Sequence, residues 1–120
     1  MADSILRDKS YQFAIRVVRL SQYLQTEKKE YVLSKQLLRS GTAIGALLRE
    51  AEFAQSKADF VSKLSIALKE ANETDYWLSL LKDTNYLDQK QHNSVAPDCR
   101  ALIAMLAASV KTAKSPESEP

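Results

Sequence analysis

Of the side chains that carry acid–base, nucleophilic or metal chemistry, the sequence holds a single histidine, His92, and a single cysteine, Cys99. A lone imidazole with no Glu three residues before it cannot build the Glu-x-x-His pairs that hold metals in helical cores. His92 falls in the polar stretch ahead of the last helical segment, where an exposed loop histidine is the ordinary expectation. Cys99 falls on an apolar stripe, which predicts a buried, inert thiol rather than a nucleophile. With no second cysteine, the chain forms no internal disulfide. It also has no Gly-rich phosphate loop. These residues predict no enzyme and call for no cofactor or metal.

The one polar constellation of note joins Arg39 to Glu70 and Glu73. If the second and third helical segments fold back on each other near Ser56, positions equidistant from the turn face each other. Arg39 then faces Glu73, and Glu50 faces Lys63 to within one residue. Both pairs flank the apolar stripes, so they are expected as partly buried ion pairs across two helices. Such pairs set register, because breaking a buried pair is costly even where its net stabilisation is small.

The elements that would position these groups are four helices. The first segment, to about Gln25, repeats Leu6, Phe13, Val17, Leu20 and Leu24 at heptad spacing, with Ser10 filling the gap. The second, about Glu30 to Ala54, carries Leu33, Leu37, Ser40, Ile44, Leu47, Ala51 and Ala54. Gly41 and Gly45, the only glycines, sit one turn apart there; each costs about 1 kcal/mol against Ala, so a neighbour is expected to pack close. Ser56 with Asp59 reads as a capping box opening a third segment that runs to about Thr84 along Phe60, Leu64, Ala67, Ala71, Thr74, Leu78 and Leu81. A fourth can start at Asp88, capped by Gln91, with Cys99, Leu102 or Ile103, Leu106, Val110 and Ala113 as its core stripe. Pro97 would remove an internal hydrogen bond, which predicts either a kink near Asn93 or a start near Ala96. Short polar links between amphipathic segments predict an all-α, antiparallel up-down-up-down four-helix bundle over residues 1–114, with a disordered acidic tail, 115–120.

Two segments are apolar over more than one face. Tyr11, Ile15 and Val18 lie beside the core stripe of the first, and Ile66, Trp77 and Leu80 beside that of the third. A monomeric bundle needs about one stripe per helix, so these six predict an interface with further copies of the chain.

Composition narrows the partners. The longest apolar run, Ala101 to Ala108, is far short of the roughly 20 residues that cross a bilayer. The start has no basic-then-apolar signal pattern, and a cytoplasmic location with no membrane partner is expected. Net charge is only +2, but residues 1–55 hold nine Lys/Arg against six Asp/Glu. Arg16, Arg19, Lys35 and Arg49 are therefore candidates for contacts to RNA or DNA, although a solvated helix face explains them equally well.

Tyr31 to Leu81, and within it Gln36-Leu-Leu-Arg39-Ser40, Asp59-Phe60 and Leu68-Lys-Glu70-Ala-Asn-Glu73-Thr, resembles the bacterial four-helix-bundle family encoded in intervening sequences of 23S ribosomal RNA genes. The opening Ser10 to Leu24 and the turn Asn85-Tyr-Leu-Asp88 are similar too, so the likeness spans nearly the whole chain. The resemblance implies a ring-like homo-oligomer, a pentamer, with no enzymatic activity. It also implies similarity to the accessory protein of diversity-generating retroelements, which works with a reverse transcriptase and binds nucleic acid. The competing expectation is a protein-interaction module whose apolar faces dock another protein and which binds no nucleic acid.

Overall fold

A computed structural model describes residues 2–116, with side chains from residue 5 onward. Its elements are four helices: α1 (Ala2–Thr26), α2 (Leu33–Glu52), α3 (Lys57–Asp83) and α4 (Gln89–Lys114). No strand occurs among the described residues. None of the helices is long and apolar enough to cross a membrane. Of the expected tail, 115–120, residues 117–120 lie outside the described residues, and Ser115 is the C-cap of α4.

Each helix buries the stripe its spacing implies. Leu6, Ser10, Phe13, Val17 and Leu24 of α1 meet Leu37, Ile44, Leu48 and Ala51 of α2, Leu64, Ala67, Ala71, Leu78 and Leu81 of α3, and Val95, Cys99, Leu102 and Leu106 of α4 in one core. Of the two residues that the spacing of α4 left open, Leu102 takes the core position. On α2 Leu48 is buried where the spacing placed Leu47, and Leu20, Leu33, Phe60 and Val110 pack on the core only half-buried. Helix α1 packs on α2, α2 on α3, α3 on α4, and α4 back on α1, where the contact is sparsest; α1 and α3 lie diagonally across the core, as do α2 and α4.

Helix ends account for the chain's turns. Lys29 takes a left-handed conformation (φ 54°), and the Glu30 amide returns to the Leu24 carbonyl at 3.0 Å. The buried Glu30 carboxylate then accepts from the amides of Val32 (3.2 Å), Leu33 (3.0 Å) and Ser34 (2.7 Å). These are N–H groups that a helix start leaves without partners, so α2 begins after Glu30 and is capped by it, rather than including it. At the start of α3, Ser56 Oγ accepts from Asp59 N at 3.0 Å, while the Asp59 carboxylate reaches Gln55 N at 3.2 Å. The reciprocal half of the expected capping box is thus displaced by one residue. Asn85 (φ 69°) closes α3 in a Schellman turn, with Asn85 N on Lys82 O at 3.0 Å and Tyr86 N on Leu81 O at 2.9 Å. Asp88 and Gln91 form a complete capping box on α4.

Helix α4 therefore starts at Gln89 and runs through Pro97, which overturns a start near Ala96. Proline leaves the Asn93 carbonyl without its donor and crowds that turn. Beside this turn Arg16 of α1 ties the helix down: Nη1 donates to Ser94 O at 2.8 Å and to Asp98 Oδ2 at 2.6 Å, and Nη2 donates to Ser94 Oγ at 2.7 Å.

Candidate functional site

The α2–α3 face carries the constellation read from the sequence. The Arg39 guanidinium donates to Glu70 Oε1 at 3.1 Å and to Glu73 Oε2. The same Glu73 oxygen takes the Trp77 indole N–H at 2.9 Å, and Trp77 meets Tyr76 edge-to-face at 5.0 Å. Lys63 Nζ lies 3.5 Å from Glu50. Below Arg39, Thr74 Oγ1 donates to Ser40 Oγ at 2.9 Å in the core. Arg39 itself is 51% exposed, and Glu50 is also open to water. The burial expected of these pairs therefore falls mainly on Glu70, and their Coulomb attraction is screened.

The two reactive side chains are both interior. Cys99 Sγ donates to Ala71 O at 3.3 Å, and burial, reinforced by Asp75, pushes its thiol up to about 12. A thiol so protonated is no nucleophile at neutral pH. His92 is 5% exposed, on the inner face of α4, and not in a loop as its polar neighbours suggested. Desolvation lowers its pKa, as do the nearby charges of Lys82 and Arg100, against weaker opposition from Asp75 and Asp83. Its Nε2 has no hydrogen-bond partner in the structure. Asp75 Oδ1, also buried, sits 3.4 Å from Arg100 Nε in an ion pair without hydrogen-bond alignment. Among the described residues no three His, Cys, Asp or Glu side chains converge to hold a metal ion.

The basic candidates divide into groups. Arg16 and Arg19 stand on the open seam between α1 and α4, together with Lys90 and Tyr23, in a cavity of about 460 Å³ floored by Leu20 and Val95. Arg16 also bounds a second cavity of about 240 Å³ on the same seam, lined by Lys9, Phe13, Asp98 and Leu102 among others. Arg49 belongs elsewhere, beside Arg7, Asp8 and Tyr11 on the α1–α2 face. Lys35, in the first turn of α2, is separated from Arg49 by roughly 21 Å of helix. Arg19, Lys35, Arg49 and Lys90 are exposed and make no ion pair among the described residues, whereas Arg16 is committed to Asp98. Lys90 was missed by sequence reading because only the closure of α4 onto α1 brings it to Arg19.

The apolar candidates also divide. Tyr11 (59% exposed), Val18 and Ile66 are exposed; Ile15 and Leu80 are half-buried, and Trp77 packs against the core. Further large apolar groups lie open at the two ends of the molecule: Tyr31 and Val32 in the α1–α2 connection, and Phe53 (77% exposed) where α2 ends.

Comparison with known proteins agrees with this architecture. No curated protein matches the chain. A crystal structure of a protein of unknown function from the S23 ribosomal protein family of Bacteroides thetaiotaomicron is 54% identical, covers 93% of this chain and 100% of its own, and superposes with a TM-score of 0.91. The model of the 23S rRNA-intervening sequence protein family matches residues 2–108. The chain thus belongs to the 23S rRNA-intervening sequence protein family.

Proposed function

We propose that this chain is an antiparallel up-down-up-down four-helix bundle that acts, without catalysis, as a cytoplasmic homo-oligomeric scaffold and holds RNA or DNA on basic side chains. The topology is supported by contacts in which the partner's number falls as the first rises: Arg7–Glu52 and Ser21–Ser34 between α1 and α2, Arg39–Glu73 and Glu50–Lys63 between α2 and α3, and Lys57–Ser115 and Asp75–Arg100 between α3 and α4 with its C-cap. The observation that carries the scaffold is the placing of exposed apolar side chains, Tyr11 and Val18 on α1 and Ile66 on α3, on helices that are not neighbours around the bundle. Two unlike faces on one protomer associate head to tail, and such contacts close into rings when the rotation permits. Five is the count that the resemblance implies.

Light scattering at micromolar concentration tests the assembly: a ring mass supports it and a monomer mass overturns it. Val18→Glu should lower that mass before it lowers the melting temperature, because a carboxylate in a dry interface is costly. Ribosomal RNA is the first probe for the nucleic-acid part, given the family's name. Filter binding that retains none of it at low salt removes that part.

The second reading is a protein-interaction module that binds no nucleic acid, with a reverse transcriptase or another protein as partner. It is favoured by Val32 and Phe53, which lie open outside both apolar helix faces. A stoichiometric protein and no nucleic acid in the natively purified sample would support it.

A further inference from the structure

The fold places candidate cations on two faces: Arg49 stands with Arg7, Asp8, Tyr11 and Gln12 on the α1–α2 face, where no aliphatic side chain forms a floor, and Arg16 and Arg19 stand on the α1–α4 seam, where Leu20 and Val95 do. The α1–α4 seam has no connecting loop along its length and is the sparsest contact of the four. Its two cavities share Arg16, whose three bonds to Ser94 and Asp98 fix it as part of the wall. On either side stand cations that make no ion pair among the described residues, Lys9 in the smaller cavity and Arg19 with Lys90 in the larger. Tyr23, half-buried and packed in part against the core, shows the rest of its ring to the larger one, seven residues or about 10 Å along α1 from Arg16. Against these cations the seam sets Asp8, and Asp98, which Arg16 already neutralises.

Resting on the nucleic-acid reading above, we infer that the α1–α4 seam is a seat for a short single-stranded segment, with phosphates on Arg19 and Lys90 and a base against Tyr23. Strandedness follows from the shape. A duplex hides its base faces and offers this seam only phosphates, so it could use the cations but not the ring. A single strand exposes both phosphates and base faces, the two features that a row of cations over an apolar floor with one aromatic ring can use. An acidic peptide would use the cations and leave the ring idle.

Fluorescence anisotropy of the intact protein with labelled dodecamers of uridine and adenosine, a twelve-base-pair RNA duplex and a dodecamer of glutamate tests this at about 50 mM salt. The single strands should bind at least tenfold tighter than the duplex and the peptide. Arg19→Gln and Lys90→Gln should each flatten the salt dependence by about 0.7 in log–log slope, as loss of one phosphate contact to a single strand does. Tyr23→Phe should bind as the parent does. Tyr23→Ala should lose about tenfold, in line with removal of one stacked base. Lys35→Gln, off the seam, should leave binding unchanged.

Equal binding of duplex and single strand, or losses confined to Lys35→Gln and Arg49→Gln, would overturn the seam while leaving nucleic-acid binding in place. Tighter binding of the glutamate peptide would overturn it in favour of an acidic protein segment. No binding of any nucleic acid would overturn both readings. Far-ultraviolet circular dichroism of each variant separates a lost contact from a lost fold, and Tyr23→Phe, which keeps the ring, remains informative if Tyr23→Ala unfolds.

Discussion

Val17 of α1 lies directly over Gly41 of α2: a methyl group placed on Gly41 would meet Val17 Cγ1 at 2.7 Å and Cγ2 at 2.8 Å. The same methyl on Gly45, one turn later, would stand 3.4 Å from Ser10 Oγ and 3.6 Å from the Ser10 backbone, which is ordinary contact. Gly41→Ala should therefore destabilise by roughly 1–2 kcal/mol, because the fully buried, β-branched Val17 has no other rotamer to move to and overpacking outweighs the gain in helix propensity. Gly45→Ala should be neutral or stabilise by up to about 1 kcal/mol. Urea melts of the two variants make the comparison; equal and opposite results would reverse the account of α1–α2 packing.

Arg39→Ala should cost only about 1 kcal/mol. Two carboxylates lose their partner, but the guanidinium is half in water and Glu73 keeps the Trp77 N–H, so little is stranded. The loss should shrink further in 0.5 M salt. A drop of about 3 kcal/mol in a thermal or chemical melt would show instead that the pair is desolvated in solution.

Glu30→Ala should cost about 2 kcal/mol, since it removes the acceptor for three amides at the start of α2, and charge-assisted bonds of this kind exceed neutral ones. Glu30→Gln, which keeps one acceptor oxygen, should lose less. Amide exchange at Val32, Leu33 and Ser34 would report the frayed turn directly.

His92 gives the fold a pH dependence. Its folded pKa lies below that of the unfolded chain, so as pH falls through about 6.5 the unfolded state takes up a proton that the folded state refuses. Stability from this group is full above that pH and declines until the folded pKa is passed. His92→Leu should remove the decline, so that the gap between parent and variant in denaturant midpoint differs between pH 7.5 and 5.5. A gap constant with pH would place the imidazole in water.

The parts legible in the sequence were those set by spacing within one helix. Heptad positions from Leu6 to Leu24 and from Leu64 to Leu81 point inward because their period matches the helix, whatever the partner. The α2–α3 pairs could also be read, because a short turn at Ser56 fixes which residues face each other. What was not legible depends on helices distant in sequence. His92 reads as a loop residue because its neighbours are polar and Pro97 suggests a helix start, whereas the Asp88–Gln91 capping box starts α4 before it and the helix continues through the proline. Glu30 was missed as a cap because it acts from three residues before the helix, outside the usual Ser/Thr/Asp signature.

The seam between α1 and α4 also orders the chain in time. Three of the four helix contacts join neighbours along the sequence and can form as local hairpins, whereas Arg16 and Asp98 are 82 residues apart. Closing the ends of the chain onto each other costs more loop entropy than closing a hairpin, and the two helices it joins make the sparsest contact of the four. The seam is thus the last boundary to form in folding and the first to open, and an outer helix swinging from it would leave a three-helix remainder still joined through α2 and α3.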